Sequence, residues 1–267
     1  MAGTQDPQQD GCALVTGAGR GIGAACARGL AADGWRVVVH YNSNAAGAEE
    51  VASQIRAAGG EAITAGGDLT QQDAVVRVFE TAEEAFGSVL VLVNNAGTTA
   101  LRTLGAMKDE HWEPVLDVNL TAPFRTIRRA VPRMLRARWG RIVNIGSLSS
   151  EMPVAGQSSY TASKGGLEAL GRAVTAEVAR RGVTVNTVMP GLVEADYHPE
   201  QFQQIIAAAP NIVPAKRAGT PEDVAACVRF LASAGAAYVN GIVLTVDGGL
   251  SASPIPIAML SAVTSES

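Results

Sequence analysis

The stretch Cys-Ala-Leu-Val-Thr-Gly-Ala-Gly-Arg-Gly-Ile-Gly, residues 12–23, decides the fold of this chain. Its first residues form a short apolar run that predicts a buried strand, and a segment of helical period follows its last glycine. The glycines between them permit a tight turn and a close approach of the backbone to a pyrophosphate, which the first amides of the helix would bind. The stretch predicts a nucleotide loop, and the alternative is a turn that binds no ligand. The candidate cofactor-binding residues in it are Gly17, Arg20, Gly21, Ile22 and Gly23.

Outside this loop, short apolar runs alternate with longer segments of helical period. This alternation indicates βαβ units with right-handed crossovers, and the continuous apolar strands indicate a parallel sheet with helices on both faces. The longest helical segment, His111–Arg138, contains Pro132, which should kink it. The predicted strands are Ala13–Thr16, Arg36–His40, Ala62–Ala65, Val89–Asn94, Arg141–Gly146, Thr184–Met189 and Ile242–Val246. The other predicted helices are Ile22–Asp33, Gly47–Ala58, Gln71–Phe86, Ser158–Arg180 and Pro221–Ala232.

Size and composition are those of a single-domain α/β protein. The 267 residues are 47% hydrophobic and 17% charged, and α/β folds of ~250 residues are often one domain. The net charge of −4 provides no basic surface for nucleic acid, and no apolar run reaches the ~18 residues of a membrane span. The first residues lack the apolar core of a signal peptide, and the three cysteines show no metal-ligand spacing. We therefore expect a cytoplasmic protein without a nucleic-acid, membrane or metal site.

Three segments depart from the regular alternation. Residues 1–11 are polar and predict a flexible arm, so that the folded domain spans residues 12–250. Residues 192–218, which include Tyr197 and His198, are too long for an ordinary connection and predict a helical lid over a site. Residues 251–267 form a tail whose apolar patch, residues 255–260, could pack on a neighbouring subunit or be disordered.

Tyr160 and Lys164 form the candidate catalytic pair. Residues four apart share one face of a helix, so the ammonium would lie near the phenol and lower its pKa from the ordinary value of ~10. Such a phenol can exchange a proton with a substrate oxygen at neutral pH. Ser147, at the end of the preceding apolar strand, strengthens the prediction. Taken singly, each residue also has a structural interpretation, as a core aromatic or a turn-capping serine.

The end of the second predicted strand bears on the choice of cofactor. Dinucleotide folds that bind NAD place a carboxylate there, which bonds the ribose 2′-hydroxyl. The stretch Tyr41-Asn42-Ser43 has no acid, so a 2′-phosphate would meet no like charge. Arg20 could reach that phosphate, with Asn42 and Ser43 as further donors, although it could also be a solvated surface arginine. The sequence favours NADP(H).

From about Cys12 to Gly249 the chain resembles the short-chain dehydrogenase/reductase family. The resemblance implies a single-domain Rossmann fold with a seven-stranded parallel sheet of order 3-2-1-4-5-6-7, and a homotetramer. Besides the glycine loop, the matching stretches are Asp68-Leu69, Asn94-Asn95-Ala96-Gly97, Asn119, Ser147, Tyr160 with Lys164, Pro190-Gly191 and Asp247-Gly248-Gly249.

The resemblance also implies roles for the matching residues. Tyr160 would protonate the substrate carbonyl oxygen, and Ser147 would hold that oxygen. Lys164 would bind the nicotinamide ribose, and Asn119 would anchor a water chain that resupplies the proton. Ala195 stands where the family commonly has a threonine that bonds the nicotinamide carboxamide. The further cofactor-binding residues are Asp68, Leu69, Asn95, Ala96, Gly97, Tyr160, Lys164, Pro190, Gly191 and Val193, together with Tyr41, Asn42 and Ser43 from the strand end.

Within the family the chain most resembles the 3-oxoacyl-acyl-carrier-protein reductases and polyketide ketoreductases, on Gly156-Gln157, Ala218–Ala225 and Tyr238–Gly249. This implies NADPH-dependent reduction of a 3-oxoacyl thioester, linked to an acyl carrier protein or to CoA. The alternatives are a dehydrogenase of a sugar, steroid or small alcohol, and a dinucleotide-binding module without catalysis. An acidic carrier protein would need a basic docking surface, unless the arginines that could form it are a solvated helix end. These arginines are Arg128, Arg129, Arg133, Arg136, Arg138 and Arg141.

Overall fold

A seven-stranded parallel sheet forms the centre of the chain in a computed structural model that describes residues 11–195 and 200–253. Its order is β3-β2-β1-β4-β5-β6-β7, and all neighbouring strands are parallel. The predicted fold class and strand order are confirmed, and no predicted strand end is displaced by more than two residues. The strands are β1 (Gly11–Val15), β2 (Val37–Tyr41), β3 (Ala62–Gly66), β4 (Ser88–Asn94), β5 (Gly140–Ile145), β6 (Val183–Pro190) and β7 (Val243–Val246).

Helices cover both faces of the sheet, which explains why its central strands are buried. Every residue of β1, β5 and β6 is buried. The helices are α1 (Gly21–Ala32), α2 (Ala45–Ala57), α3 (Gln72–Phe86), α4 (Asp109–Leu116), α5 (Ala122–Ala137), α6 (Ser158–Val178), α7 (Glu200–Ala207), α8 (Ala209–Ile212) and α9 (Pro221–Ala232). Helix α1 contacts α2 and α9, and these three form one group. The four helices α3, α4, α5 and α6 are linked by contacts into a second group.

The prediction of one continuous helix over His111–Arg138 is wrong. Asp117–Thr121 forms a π-helical turn between α4 and α5, in which the Ala122 amide donates to the Asp117 carbonyl. Such turns insert an extra residue and are frequent at functional sites; here the turn contains the fully buried Asn119. Pro132 lies inside α5 without ending it.

The ends of the predicted domain need one correction. β1 begins at Gly11, so this residue belongs to the sheet and not to the arm; a Cβ there would lie 2.6 Å from the Ser88 carbonyl oxygen. Helices α7 and α8 lie within the predicted lid. The remaining arm, residues 1–10, the lid residues Tyr197 and His198, and the tail patch 255–260 lie outside the described residues. Among the helices described, none combines the length and apolar character that a bilayer crossing requires.

The carboxyl ends of the parallel strands meet at one edge of the sheet and gather the predicted site residues there. Gly17 follows β1, Asn95 follows β4, Ser147 follows β5 and Gly191 follows β6. Strand order reverses between β1 and β4, and open parallel sheets bind ligands in the crevice at such a point. The fold therefore predicts the site at this edge.

Candidate active site

The glycine loop packs against the chain that leaves β4. The Thr16 hydroxyl accepts hydrogen bonds from the amides of Asn95 (2.9 Å) and Ala96 (3.0 Å). The Asn95 side chain in turn donates to the carbonyls of Thr16 (2.9 Å) and Gly17 (3.0 Å). Gly17 has a φ of 62°, and a Cβ there would lie 2.9 Å from the Ala96 Cα. Only glycine fits this approach, because any side chain would be both strained and overlapping.

The first turn of α1 fits an anionic ligand. Arg20, the N-cap residue, makes no side-chain capping bond, and the turn contains no acidic residue. At Gly23 a Cβ would lie 2.5 Å from the Gly17 carbonyl oxygen, so the helix approaches the loop directly. The amides of Gly21, Ile22 and Gly23 lie at the positive end of the helix dipole, where a pyrophosphate is bound in dinucleotide folds. The residues present therefore fit a dinucleotide cofactor.

His40 of β2 holds the glycine loop in place. Its Nδ1 accepts from the Gly17 amide (3.2 Å), and its Nε2 donates to the Gly67 carbonyl (2.9 Å). Burial lowers the pKa of His40 to about 4, so the imidazole stays neutral and keeps Nδ1 as an acceptor. The sequence signal for this role was the presence of a histidine in an otherwise apolar strand.

Asn44 ties the same loop to α2. Its side chain accepts from the Gly47 amide (3.2 Å) as the helix cap and donates to the Gly19 carbonyl (3.2 Å). Sequence analysis did not identify this residue, although asparagine before a helical segment is an N-cap signal.

Of the residues predicted for the phosphorylated ribose, Tyr41, Asn42 and Ser43 lie at the end of β2 and Arg20 at the start of α1. Arg20, Asn42 and Ser43 are exposed. The Tyr41 ring lies over Gly66, where a Cβ would be 2.8 Å from the ring. No acidic residue occurs from position 41 to position 48, so this stretch offers no carboxylate that would repel a 2′-phosphate.

The residues predicted to flank the adenine follow β3, the neighbour of β2. The Asp68 carboxylate accepts from the amide (2.9 Å) and the hydroxyl (2.8 Å) of Thr70 and thereby shapes this turn. Leu69 beside it is buried. The structure thus brings Asp68 and Leu69 to the same edge as Tyr41.

The predicted catalytic pair lies on α6 at the end of β5. Lys164 is only 4% exposed, and its ammonium donates to the Ile145 carbonyl (2.7 Å) and lies 5.7 Å from the centroid of the Tyr160 ring. Burial lowers the pKa of Lys164 to about 8, and the Glu168 carboxylate partly offsets this effect. A positive charge so close to the phenol favours its ionised form.

Asn119 joins the π-helical turn to the site. Its Oδ1 accepts from the Thr98 amide (2.8 Å), and its Nδ2 donates to the Thr98 carbonyl (2.9 Å) and to the Ser163 hydroxyl (3.0 Å). Ser163 donates onward to the Tyr160 carbonyl (2.7 Å). The chain beyond Gly97 and helix α6 are therefore held by one buried amide.

Ser147 lies in a short polar network after β5. Its hydroxyl accepts from the Ser149 amide (3.2 Å) and lies 3.1 Å from the Ser149 hydroxyl, which donates to Gln157 (3.2 Å). Gln157 is buried. Neither Ser149 nor Gln157 was a predicted site residue.

The last predicted cofactor residues lie at the base of the lid. The Gly191 amide, after Pro190, donates to the Val246 carbonyl (3.0 Å), and a Cβ on Gly191 would lie 2.6 Å from that of Asp247. Val193 forms an isolated parallel bridge with Gly219. Across residues 11–195 and 200–253, no group of three histidine, cysteine or acidic side chains could hold a metal ion.

The expected basic docking surface is only partly present. Arg141 is buried, lies 4.4 Å over the Trp139 ring and donates to the carbonyls of Ser233 and Gly182 (both 3.2 Å). It cannot contact a partner protein, because its guanidinium is committed to the interior of the chain.

The other arginines differ in their surroundings. Arg129 and Arg133 both pair with Glu83, whereas Arg128, Arg136 and Arg138 are exposed. Arg138 precedes β5 and Ser147 follows it, and a strand of this length spans ~20 Å. Arg138 therefore lies at the edge of the sheet opposite the site of its own chain.

Comparison with known proteins agrees with this geometry. The model of the short chain dehydrogenase family matches residues 11–205. The chain is 42% identical over 241 residues to the 3-oxoacyl-acyl-carrier-protein reductase of Synechocystis sp., covering 89% of this chain and 96% of the relative. It is 40% identical over 248 residues to the reductase of the same name from Mycobacterium tuberculosis, MabA, covering 93% and 96%.

A solved structure is also similar over most of its length. This crystal structure, described provisionally as a gluconate dehydrogenase of Agrobacterium tumefaciens, matches with a TM-score of 0.84 and 34% identity. The match covers 91% of this chain and 96% of that one.

Proposed function

The chain belongs to the short-chain dehydrogenase family, and we propose that it uses NADPH to reduce a 3-oxoacyl thioester to the 3-hydroxyacyl product. The oxidoreductase activity itself follows from the family and its curated relatives. The observation that carries the substrate is identity of about 40% with 3-oxoacyl-acyl-carrier-protein reductases over nearly the whole chain.

The proposed chemistry assigns one task to each residue at the crevice. NADPH, when bound, supplies the hydride that reaches the carbonyl carbon. Tyr160 donates the proton to the carbonyl oxygen, and the Ser147 hydroxyl holds that oxygen as its negative charge develops. The Lys164 ammonium, 5.7 Å from the Tyr160 ring centroid, favours release of the phenolic proton. Asn119 fixes the Thr98 backbone and Ser163 beside the catalytic helix.

The proposal assigns cofactor binding to two parts of the crevice. The pyrophosphate would lie on the amides at the start of α1, and the 2′-phosphate beside Arg20, Asn42 and Ser43. NADPH is preferred over NADH because this surface carries no acidic residue from position 41 to position 48. Lys164 would also bind the nicotinamide ribose, and the backbone at Gly191 and Val193 would lie along the nicotinamide, where Ala195 offers no hydroxyl.

The carrier and the assembly are part of the same proposal. The thioester would be carried by an acyl carrier protein or by CoA, and the enzyme would act in the cytoplasm as a homotetramer. Light scattering after size-exclusion chromatography measures the assembly, and a mass of about one or two subunits would contradict it.

A second candidate substrate is a sugar acid, because the solved structure with a TM-score of 0.84 is described as a gluconate dehydrogenase. A substrate panel separates the two candidates. NADPH oxidation with acetoacetyl-CoA is compared with NADP⁺ reduction by gluconate, and both are repeated with NADH and NAD⁺. We expect turnover of the thioester and a preference for NADPH. Turnover of gluconate without turnover of acetoacetyl-CoA would overturn the proposal in favour of the sugar acid.

A further inference from the structure

Glu168 is a buried carboxylate directly behind the catalytic residues, and the reaction as described gives it no task. It lies one helical turn after Lys164 on α6 and is 8% exposed. Its Oε1 accepts a hydrogen bond from the Ser150 hydroxyl (2.5 Å), and a Cβ added to Gly146 would lie 3.8 Å from the same oxygen. The carboxylate therefore faces the residues on both sides of Ser147.

The turn that carries Ser147 depends on this contact. The Ser150 hydroxyl lies 2.8 Å from the Ser147 carbonyl oxygen, and the Ser150 amide donates to that oxygen (3.0 Å). Glu168 thus fixes Ser150, which closes the turn on Ser147. Bonds from a hydroxyl to a carboxylate are among the stronger hydrogen bonds in proteins, so the turn is anchored to the catalytic helix.

Lys164 and Glu168 lie on the same helix, and both contact the chain at the end of β5. The ammonium holds the Ile145 carbonyl, and the carboxylate lies beside Gly146 and Ser150. Within the described residues, no lysine, arginine or histidine nitrogen approaches the Glu168 carboxylate to ion-pair distance. Its negative charge instead acts on Lys164. It raises the pKa of this lysine and so opposes the lowering that burial causes.

We propose that Glu168 is a positioning residue of the active site, which anchors the turn carrying Ser147 and provides the counter-charge to the buried Lys164 ammonium. It touches neither substrate nor cofactor and acts through Ser150 and Lys164. The catalytic consequence rests on the proposed function, whereas the action on Lys164 can be measured without any substrate.

Few other ionisable groups face Lys164. Tyr160 lies on the same helix. The π-helical turn contributes the neutral Asn119, which lies near the Lys164 ammonium at Gly97, and β5 contributes the Ile145 carbonyl. The turn 147–150 contains only serines and a leucine. The carboxylates of Asp117 and Glu151 are on these elements but exposed. Glu168 is accordingly the charge that acts on Lys164, and its removal should dominate any change in the titration of this lysine.

Two substitutions separate the two actions of Glu168. Glu168→Gln removes the charge but keeps an oxygen that can accept from Ser150. Ser150→Ala removes the hydrogen bond but keeps the charge. Glu177→Gln makes the same chemical change at an exposed position of α6 and is the matched control.

The ionisation of Lys164 can be observed directly, because the chain has three lysines, Lys108, Lys164 and Lys216. Labelling the full-length protein with ¹³Cε-lysine gives three side-chain signals, which Lys108→Arg and Lys216→Arg assign. We expect the Lys164 pKa to fall in Glu168→Gln by on the order of one unit and to be unchanged in Ser150→Ala and Glu177→Gln. An unchanged Lys164 pKa in Glu168→Gln would overturn the counter-charge, even if that variant were less stable.

Kinetics with acetoacetyl-CoA and NADPH test the anchoring. We expect kcat to fall about tenfold in Ser150→Ala, because small displacements of a catalytic group are costly. In Glu168→Gln the alkaline limb of the pH profile should move to lower pH, since removing the negative charge lowers the pKa of Lys164 and the ammonium is then lost at a lower pH. Full kcat in Ser150→Ala would overturn the anchoring. A wild-type chain inactive on the thioester would overturn the proposed function but leave the lysine titration decisive.

Discussion

Replacing Lys164 by methionine should abolish activity. Relative to wild type, it should also raise the free energy of unfolding at neutral pH and lower it at alkaline pH. Lys164 is 4% exposed, and burial lowers its pKa from 10.5 to about 8. At ~1.4 kcal/mol per pKa unit, keeping the ammonium charged in this position costs ~3 kcal/mol at neutral pH. Methionine has a similar shape and carries no charge, so this cost disappears.

The pH dependence has a definite sign. The folded chain gives up the Lys164 proton at about pH 8, and the unfolded chain near 10.5. Between these values the folded state binds fewer protons, so the wild type gains stability as pH rises. From pH 7 to pH 10 this gain amounts to ~2.5 kcal/mol, and Lys164→Met should lack it.

The variant also loses a hydrogen bond, and this loss offsets part of the free energy gained by removing the buried charge. The Lys164 ammonium donates to the Ile145 carbonyl, and a bond to a charged group contributes ~1.5–3 kcal/mol. We therefore expect the variant to be about 1 kcal/mol more stable than wild type at pH 7 and less stable at pH 10. The difference between the two pH values is fixed by the folded-state and unfolded-state pKa of Lys164.

Urea unfolding of both proteins at pH 7 and pH 10, at one protein concentration, measures these free energies. NADPH oxidation with acetoacetyl-CoA measures the activity, which should fall by at least ~10². A relative stability of Lys164→Met that is the same at both pH values would refute the reasoning, because it would mean that the buried lysine titrates alike in the folded and unfolded chains.

Three further substitutions test other parts of the site. Tyr160→Phe should lower kcat by at least ~10² and leave the NADPH dissociation constant within about twofold, measured by nicotinamide fluorescence; near-normal turnover would remove Tyr160 as the acid. Gly17→Ala should weaken NADPH binding at least ~10-fold and lower the free energy of unfolding by ~1–2 kcal/mol. The reason is that φ at Gly17 is 62° and the new Cβ would lie 2.9 Å from the Ala96 Cα. Unchanged binding would mean that the loop does not hold the cofactor. Arg20→Ala should weaken NADPH binding about tenfold or more and leave NADH binding unchanged. The control is Arg77→Ala, which changes an exposed arginine of α3. Equal losses of affinity for both cofactors would show that Arg20 does not recognise the 2′-phosphate.

The fold was predictable from the sequence because its strands are buried on both faces. Runs such as Cys12–Val15 and Val89–Val93 are apolar throughout, and the parallel order then follows from the alternation with helices and from the family resemblance. Strand ends were less certain, because Gly11 and Pro190 extend the ladders without being typical strand residues.

The parts that could not be predicted depend on contacts between distant residues. The π-helical turn joins α4 to α5 without a loop between them, so the segment resembles one helix, and Pro123 in the first turn of α5 was the available signal of a new helix. Arg141 resembled a surface charge beside other arginines, but it is buried because the carbonyls of Ser233 and Gly182 satisfy it.

The same limit applied to the polar residues behind the site. His40, Asn44 and Glu168 act on the loop, helix and turn of the site through single hydrogen bonds to residues that are 23, 25 and 18 positions away. Motifs show which residues the chemistry needs, whereas the residues that hold them depend on packing.

The most direct test of the proposed reaction follows the hydride itself. Acetoacetyl-CoA is incubated with NADPH that carries deuterium at the transferable C4 position, and the acyl product is analysed by mass spectrometry. The account predicts 3-hydroxybutyryl-CoA with deuterium at C3 from the wild type and almost none from Tyr160→Phe. Oxidation of NADPH without deuterium at C3, or no product although NADPH binds, would contradict it.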